Sequence, residues 1–230
     1  MNERTEPAAA PRIAVLDYGI GNLRSAEKAF AHVGADAFLT ADRSRVDEAD
    51  AVVLPGVGAF GPCRRALAET GLDEVALDAV ASGRPFLGIC VGMQLLYDGS
   101  EEAPGVGGLG VLPGMVRRLP DGVRTPQMQW NRLHPRTESP LLEGLGESPW
   151  MYFVHSYAPE VTADAVATCN YGAEITALAA RNNVMATQFH PEKSSAPGLV
   201  LLGNFVRLAL DWSSGVEGEQ VPDAAPGRTR

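Results

Sequence analysis

Three short apolar segments in the first 90 residues, separated by helical stretches, place the strongest constraint on the fold. The segments lie at 13–16, 51–54 and 85–87, and the helical stretches lie near 22–33 and 61–82. Alternation of short buried strands with helices is typical of a parallel sheet that carries helices on both faces. We therefore predict an α/β fold with an open, mostly parallel central sheet and flanking helices.

The pattern changes after Gly99, where strand-like segments follow one another between turn-rich connections. The predicted strands lie at 109–118, 150–157, 165–170, 175–180 and 184–189, and a closing helix lies at 196–212. Successive strands without intervening helices indicate an antiparallel extension of the sheet. Both chain ends are polar and rich in Pro, Ala, Gly or Ser. We predict a flexible leader at 1–11, one folded domain at 12–212 and a flexible tail at 213–230.

The composition of the chain argues against several classes of fold and partner. With 230 residues, 45% of them hydrophobic, the chain can bury a full core without disulfides. Cys63, Cys90 and Cys169 form an odd set without C-x-x-C spacing, which argues against a disulfide framework and a zinc site and suits a reducing cytoplasm. A net charge of −9 disfavours nucleic acid and anionic membranes as partners. No apolar run suggests a membrane span or signal peptide, and no ligand spacing indicates a metal or organic cofactor.

Cys90 lies at the junction of the third apolar segment and a helix-forming stretch at 93–97. Gly88 and Gly92 flank it two residues away on each side, the spacing of a nucleophile elbow, in which glycines let strand and helix approach closely. A helix N-terminus beneath the thiol would favour the thiolate. We predict that Cys90 is a reactive nucleophile. The alternative is a cysteine that serves only as a small buried hydrophobe.

A second candidate motif, His190-Pro191-Glu192, follows a strand-like segment at 184–187. In extended backbone, residues two apart point to the same side, so Glu192 can orient the imidazole of His190. A thiol nucleophile requires such a base and such an acid. The alternatives are a solvated loop in which Glu192 pairs with Lys193, and a competing base at His155, which has no acid within two residues.

A glycine-rich loop, 55–61, directly follows the second apolar segment. It lacks the Lys-Ser/Thr of a phosphate-binding loop, so nucleotide phosphates are disfavoured. At the carboxyl end of a parallel strand, such a loop can direct an N–H group at a developing oxyanion, and the N–H of Val91 would be the second donor. The alternative is a tight connector that needs glycine for its backbone conformation.

These motifs together resemble those of class I, triad-type glutamine amidotransferases. The resemblance rests on the elbow at 88–94, the Pro-Gly-Val-Gly loop at 55–58 and His190-Pro191-Glu192. The segments at 17–22, 100–102, 152–157 and 190–195 resemble more narrowly the branch that forms the glutaminase subunit of imidazole glycerol phosphate synthase. The resemblance implies a flavodoxin-like fold and covers nearly all of residues 12–205.

The resemblance also implies residue roles. Cys90 would attack the side-chain amide of L-glutamine, His190 would protonate the departing ammonia, and Glu192 would orient His190. Val57 would donate an oxyanion N–H after its peptide reorients. The residues implied to bind glutamine are Gly56, Gly58, Gln94, Glu102, Ser156 and Tyr157. Ammonia would pass to a (β/α)8 cyclase subunit in a heterodimer, where imidazole glycerol phosphate and AICAR phosphate are formed.

One segment departs from the family pattern. Where the family usually reads Pro-His-Met-Gly-Trp-Asn, residues 126–131 read Pro-Gln-Met-Gln-Trp-Asn. The family places this segment near the cyclase, so Asn22, Met128, Trp130 and Asn131 are the implied interface residues. If the family's glycine has a positive φ, Gln129 is strained or forces another turn, and we expect the loop to be repacked against a matching partner.

Three other functions stay open. A glutaminase subunit of another amidotransferase complex would share the triad and differ in its partner. A stand-alone cysteine hydrolase would turn over its substrate without a partner. A binding subunit without catalysis would use the pocket only to sense glutamine.

Overall fold

A computed structural model describes residues 9–215, in which thirteen strands and six α-helices are formed. The strands are β1 (Arg12–Leu16), β2 (Asp36–Thr40), β3 (Ala51–Gly56), β4 (Phe86–Cys90), β5 (Gly99–Ser100), β6 (Met115–Arg118), β7 (Gln127–Arg132), β8 (His134–Pro135), β9 (Trp150–His155), β10 (Tyr157–Pro159), β11 (Ala165–Asn170), β12 (Glu174–Arg181) and β13 (Val184–Thr187). The helices are α1 (Leu23–His32), α2 (Arg43–Asp47), α3 (Phe60–Glu69), α4 (Leu72–Ala81), α5 (Val91–Leu95) and α6 (Ser195–Ser213). Short 3-10 helices lie at Pro140–Leu142 and Pro191–Lys193.

The central sheet has eight strands in the order β2-β1-β3-β4-β13-β12-β11-β8. The five strands from β2 to β13 are parallel, and β12, β11 and β8 continue the sheet antiparallel. Every residue of β3 and β4 is buried, as expected for central parallel strands covered on both faces by helices. The predicted α/β fold with an antiparallel extension is confirmed.

The strand order brings three connections to the same edge of the sheet. Strand β1 pairs with β2 on one side and β3 on the other, so the chain reverses its direction of winding there. Strands β3, β4 and β13 are parallel neighbours, and their carboxyl ends lie together. Crevices at the carboxyl ends of parallel strands are where such sheets bind ligands. The loop 55–58, Cys90 and His190 all lie at this edge.

Two smaller groups of strands lie outside the central sheet. Strands β10, β6 and β5 form a three-stranded sheet, and β7 and β9 form an antiparallel pair, which we call the β7–β9 ribbon. Helix α6 packs on the core next to α1, where Phe205 and Phe30 bring their ring centroids to 5.8 Å. Within residues 9–215, every helix is too short or too polar to cross a bilayer.

Several predicted boundaries were wrong, and glycine explains two of them. The predicted helix 61–82 is two helices, α3 and α4, because Gly71 has a φ of +69° between them. The predicted strand 109–118 is a strand only from Met115, because Gly110 and Gly114 have positive φ values on either side of Pro113. Strands β2 and β7 were missed. Residues 1–8 and 216–230, most of the predicted leader and tail, lie outside the described residues.

Candidate active site

Cys90 is the last residue of β4 and directly precedes α5. Its backbone has φ 55° and ψ −111°, a conformation that residues with a side chain rarely adopt. The side chain is buried, with 4% of the residue exposed. Backbone strain of this kind persists only where the surrounding structure enforces it, and it is concentrated at functional sites.

The two glycines of the elbow let β3, β4 and α5 pack against one another. A Cβ atom on Gly92 would lie 1.8 Å from the carbonyl oxygen of Leu54. One on Gly88 would lie 2.8 Å from Cδ1 of Leu96 and 3.0 Å from the carbonyl oxygen of Gly92. Real Cβ atoms do not approach other atoms so closely. The elbow therefore has room only for glycine at position 92, and at position 88 a larger residue would require Leu96 and the neighbouring backbone to shift.

His190 reaches Cys90 from the neighbouring strand. It follows β13, which pairs with β4, and its backbone N–H donates to the carbonyl of Tyr152 on β9 at 3.0 Å. The His190 Nδ1 lies 2.8 Å from Oε1 of Glu192, and both side chains are 3% exposed. The ring also interacts with the side chain of Cys90, which raises the pKa of the imidazole. Because the carboxylate of Glu192 binds Nδ1, Nε2 is the ring nitrogen that can interact with the sulfur of Cys90.

The charges around His190 favour its protonated form. Burial lowers the pKa of the ring, but hydrogen bonds and charge interactions with Cys90 and Glu192 outweigh burial and raise the pKa above its ordinary value. A protonated ring can stabilise a thiolate and later donate its proton. The arrangement is therefore able to perform nucleophilic catalysis with a general acid.

The sequence did not single out Gln188, which lies beside the cysteine. Its Nε2 approaches the Cys90 sulfur at 3.8 Å, and its Oε1 accepts a hydrogen bond from Nε2 of Gln94 at 3.0 Å. Gln94 also donates to the carbonyl of Tyr157 at 2.9 Å. The side-chain amides of Gln188 and Gln94 and the carbonyl of Tyr157 thus form one hydrogen-bonded chain next to the thiol. Gln188 precedes His190 by two residues, so the alternation of side chains along extended backbone could have indicated it.

The glycine-rich loop lies next to His190 and Glu192. Gly56 and Val57 line one small cavity together with His190 and Glu192. A Cβ on Gly56 would meet the amide nitrogen of Gly92 at 2.9 Å, and Gly58 has a φ of +95°. Val91, the other predicted oxyanion residue, is the first residue of α5.

The remaining residues predicted to bind glutamine lie on neighbouring segments. The Oε2 atom of Glu102 accepts a hydrogen bond from the backbone N–H of Phe60 at 2.7 Å and thereby stabilises the start of α3. The carbonyl of Ser156 accepts from the N–H of Leu119 at 3.0 Å. Tyr157 begins β10. Their roles toward glutamine stay predictions.

His155 has a local role in the strand. Its Nδ1 lies 3.0 Å from the carbonyl of Tyr157, and burial lowers its pKa to about 4, so the ring is neutral at physiological pH. A neutral ring with Nδ1 bonded to a carbonyl carries its proton on Nδ1. It has no carboxylate partner among the described residues. His155 thus lacks the acid that His190 has.

The predicted interface residues lie on the β7–β9 ribbon and at the start of α1. Met128 and Trp130 are 64% and 43% exposed on β7, and the Nδ2 atom of Asn131 donates to the carbonyl of Asn170 at 3.0 Å. Asn22 precedes α1, and its Oδ1 accepts from the hydroxyl of Ser25 at 2.8 Å. Their contact with a partner stays a prediction.

The departure at 126–131 produces no backbone strain. Residues 127–132 form a regular strand, in which Gln129 pairs with Phe153, and φ of Gln129 is not positive. The expected strain at Gln129 is therefore wrong, because its side chain projects from an ordinary strand, and the repacking of this segment against a matching partner stays a prediction. Gln127 is fully buried, and within residues 9–215 its amide atoms meet no hydrogen-bond partner. Its side chain lies close to the thiol of Cys169.

Comparison with known proteins identifies the family. A model of the class I glutamine amidotransferase family matches residues 14–208. This chain belongs to the class I glutamine amidotransferase family. The elbow, the glycine loop and His190 of this amidotransferase all lie within the matched region.

Curated relatives cover nearly the same part of this amidotransferase. The imidazole glycerol phosphate synthase subunit HisH of Methanothermobacter thermautotrophicus is 51% identical over 197 residues, which are 85% of this chain and 98% of the relative. The subunits of the same name from Salinibacter ruber and Geobacter sulfurreducens are 46% and 48% identical over 210 and 203 residues. These alignments cover 87% and 84% of this chain and 96% and 97% of the two relatives.

Solved structures share the fold of this amidotransferase. A crystal structure of a glutamine amidotransferase superposes with a TM-score of 0.68 at 24% identity and covers 86% of this chain and 98% of its own. A structure of PurLQS from Thermotoga maritima superposes with a TM-score of 0.67 at 21% identity and covers 87% of this chain and 97% of the matched one. At these identities the likeness concerns the fold alone.

Proposed function

We propose that this chain is the glutaminase subunit of imidazole glycerol phosphate synthase, in which Cys90, His190 and Glu192 form the catalytic triad. One observation carries the proposal: the strained Cys90 interacts with the ring of His190, whose Nδ1 is held by Glu192 at 2.8 Å. The HisH relatives, at up to 51% identity over most of the chain, support the assignment to this synthase.

Acylation begins with the thiolate of Cys90. The sulfur attacks the side-chain amide carbon of L-glutamine, and the carbonyl π electrons move to oxygen to give a tetrahedral oxyanion. The N–H groups of Val57 and Val91 stabilise that oxyanion. The protonated ring of His190 gives its proton to the amide nitrogen as the C–N bond breaks, so ammonia leaves and a glutamyl thioester forms at Cys90.

Hydrolysis then releases glutamate. His190, now neutral, takes a proton from a water molecule that attacks the thioester carbon. The C–S bond breaks, the thiolate of Cys90 is restored and His190 is protonated again. Glu192 keeps the ring in the useful orientation and stabilises its positive charge in both steps.

Glutamine is bound by the residues around the thiol. Gly56, Gly58, Gln94 and Glu102 line the pocket, and the backbone of Ser156 and Tyr157 holds the α-amino and α-carboxyl groups. Support for this placement comes from Gln94, whose amide nitrogen donates to the carbonyl of Tyr157 at 2.9 Å and so joins two of these segments.

Ammonia passes to a (β/α)8 cyclase subunit, which forms imidazole glycerol phosphate and AICAR phosphate in histidine biosynthesis in the cytoplasm. The partner docks on the β7–β9 ribbon through Met128, Trp130 and Asn131, and near Asn22. The exposure of Met128 and Trp130 supports this face, as does the hydrogen bond from the His190 N–H to Tyr152 on the ribbon. The curated relatives favour this partner over that of another amidotransferase complex.

The test is glutaminase activity of the purified chain, measured as glutamate release with and without the cyclase subunit of the same organism. We expect activity only with the cyclase and its complete loss in Cys90→Ala. Cys169→Ala is the matched control, because Cys169 is a buried thiol on β11, and it should keep the activity. Equal activity without any partner would identify a stand-alone hydrolase. Glutamine binding without turnover in the complex would identify a sensor subunit.

A further inference from the structure

Two buried side chains outside the proposed triad donate hydrogen bonds to backbone carbonyls of the glycine loop. The hydroxyl of Tyr18 donates to the carbonyl of Pro55 at 2.8 Å. The thiol of Cys63 donates to the carbonyl of Val57 at 3.3 Å. Tyr18 follows β1, and Cys63 lies in α3, so each side chain comes from a different element of the rigid core.

These hydrogen bonds bracket one peptide unit. Pro55 and Val57 supply the carbonyls on either side of the peptide that joins Gly56 to Val57, and that peptide carries the N–H proposed for the oxyanion. Because both flanking carbonyls are held, rotation is confined to the single peptide between them. We call Tyr18 and Cys63 the loop anchors. A Cβ on Gly56 would lie 2.7 Å from the Tyr18 hydroxyl, so this anchor packs directly against the loop.

Both anchors keep the proton that they donate. Tyr18 is 3% exposed and Cys63 is fully buried. Burial raises the pKa of Tyr18 well above its ordinary value and raises the pKa of Cys63 to about 11. Each group has one hydrogen and lies within hydrogen-bond distance of a loop carbonyl, and the two side chains also interact with each other. The anchors therefore persist across the physiological pH range.

We infer that Tyr18 and Cys63 are positioning residues that orient the Gly56–Val57 peptide for oxyanion stabilisation. The inference rests on the proposed function, because it assigns these side chains to the reaction of that site. Oxyanion donors act through preorganisation, so an N–H that samples several orientations stabilises the transition state less. Loss of one anchor should lower kcat and leave the KM for glutamine nearly unchanged.

The first test measures steady-state glutaminase activity in the complex with the cyclase. Tyr18→Phe and Cys63→Ala should each lower kcat about fivefold, the size expected for one neutral hydrogen bond, with less than a twofold change in KM. Cys63→Ser keeps a donor and should retain most of the wild-type kcat. Tyr171→Phe is the matched control, because it removes a hydroxyl that donates to the carbonyl of Arg124 at 2.6 Å, away from the loop.

The second test needs no catalysis. Amide hydrogen exchange over residues 56–60 of the purified chain should be faster in Tyr18→Phe and Cys63→Ala than in wild type, Cys63→Ser or Tyr171→Phe. Unchanged exchange and unchanged kcat in the first two variants would overturn the inference, as would equal losses in Cys63→Ala and Cys63→Ser. A wild-type complex without glutaminase activity would instead refute the proposed function, and the exchange experiment would still decide whether the anchors hold the loop.

Discussion

Replacement of Glu192 by glutamine tests the triad most directly. The substitution keeps the size of the side chain and removes its charge. In the wild type, Oε1 of Glu192 lies 2.8 Å from Nδ1 of His190, and both side chains are almost completely buried. Glutamine can still occupy the position, but it offers no anion to stabilise a protonated ring. It can also donate to Nδ1 and so select the wrong tautomer.

The size of the effect follows from this contact. A hydrogen bond to a charged group contributes about 1.5–3 kcal/mol. If this stabilisation is lost only when the ring carries its proton, kcat falls about 10- to 150-fold, since about 1.4 kcal/mol corresponds to a factor of ten. The pH profile should change as well. Glu192 raises the pKa of His190, so its removal lets the ring lose its proton at lower pH, and the alkaline limb of kcat moves down in pH.

The assay is glutamate release by the complex with the cyclase between pH 6 and pH 10. Glu143→Gln is the matched control, because Glu143 forms an exposed ion pair with Arg207 at 2.6 Å, and its profile should match that of the wild type. A Glu192→Gln enzyme with a kcat within threefold of wild type and an unmoved alkaline limb would refute the role of the carboxylate.

Two further predictions concern stability, and urea unfolding measures both. Gly92→Ala places a Cβ 1.8 Å from the carbonyl oxygen of Leu54 and should destabilise the fold by more than about 3 kcal/mol. Gly203→Ala lies in an open position of α6 and should stabilise the fold by up to about 1 kcal/mol. Similar stability of the two variants would contradict the packing argument. His155 has its pKa lowered to about 4 by burial, so between pH 4 and the ordinary value of about 6.5 the unfolded chain binds a proton that the folded chain does not. Acidification from pH 7 to pH 5 should therefore destabilise wild type about 2 kcal/mol more than His155→Gln, and parallel losses in the two proteins would count against a neutral buried ring.

Local sequence patterns predicted three strands of the central sheet, β1, β3 and β4, because these strands are apolar at nearly every position. Strands β1, β3 and β4 are short continuous apolar runs, which parallel strands covered on both faces require. Strand β7 was missed because its residues, Gln127–Arg132, are mostly polar and exposed. It forms a strand through its pairing with β9, a contact between distant segments that no local pattern reveals.

The sequence predicted those parts of the candidate site whose residues lie two positions apart. The Gly-x-Cys-x-Gly spacing indicated a strained turn at Cys90, and the structure has a φ of 55° there. The spacing of His190 and Glu192 placed both side chains on one face, and they are in contact. The two-residue spacing from His190 could have indicated Gln188, whereas the hydrogen bonds of Tyr18 and Cys63 to the glycine loop depend on tertiary packing, which spacing alone could not predict.

The ribbon and the segment that carries His190 are joined by hydrogen bonds into one unit. The N–H of His190 donates to the carbonyl of Tyr152 at 3.0 Å, and the N–H of Tyr152 donates to Oγ of Ser194 at 3.0 Å. The same hydroxyl donates to the carbonyl of His190 at 2.6 Å. Trp130 packs edge-on against Tyr152 with ring centroids 6.0 Å apart. The ribbon backbone at Tyr152 and the backbone of His190 are therefore held by one shared set of hydrogen bonds, and Trp130 packs on the ribbon side of that set.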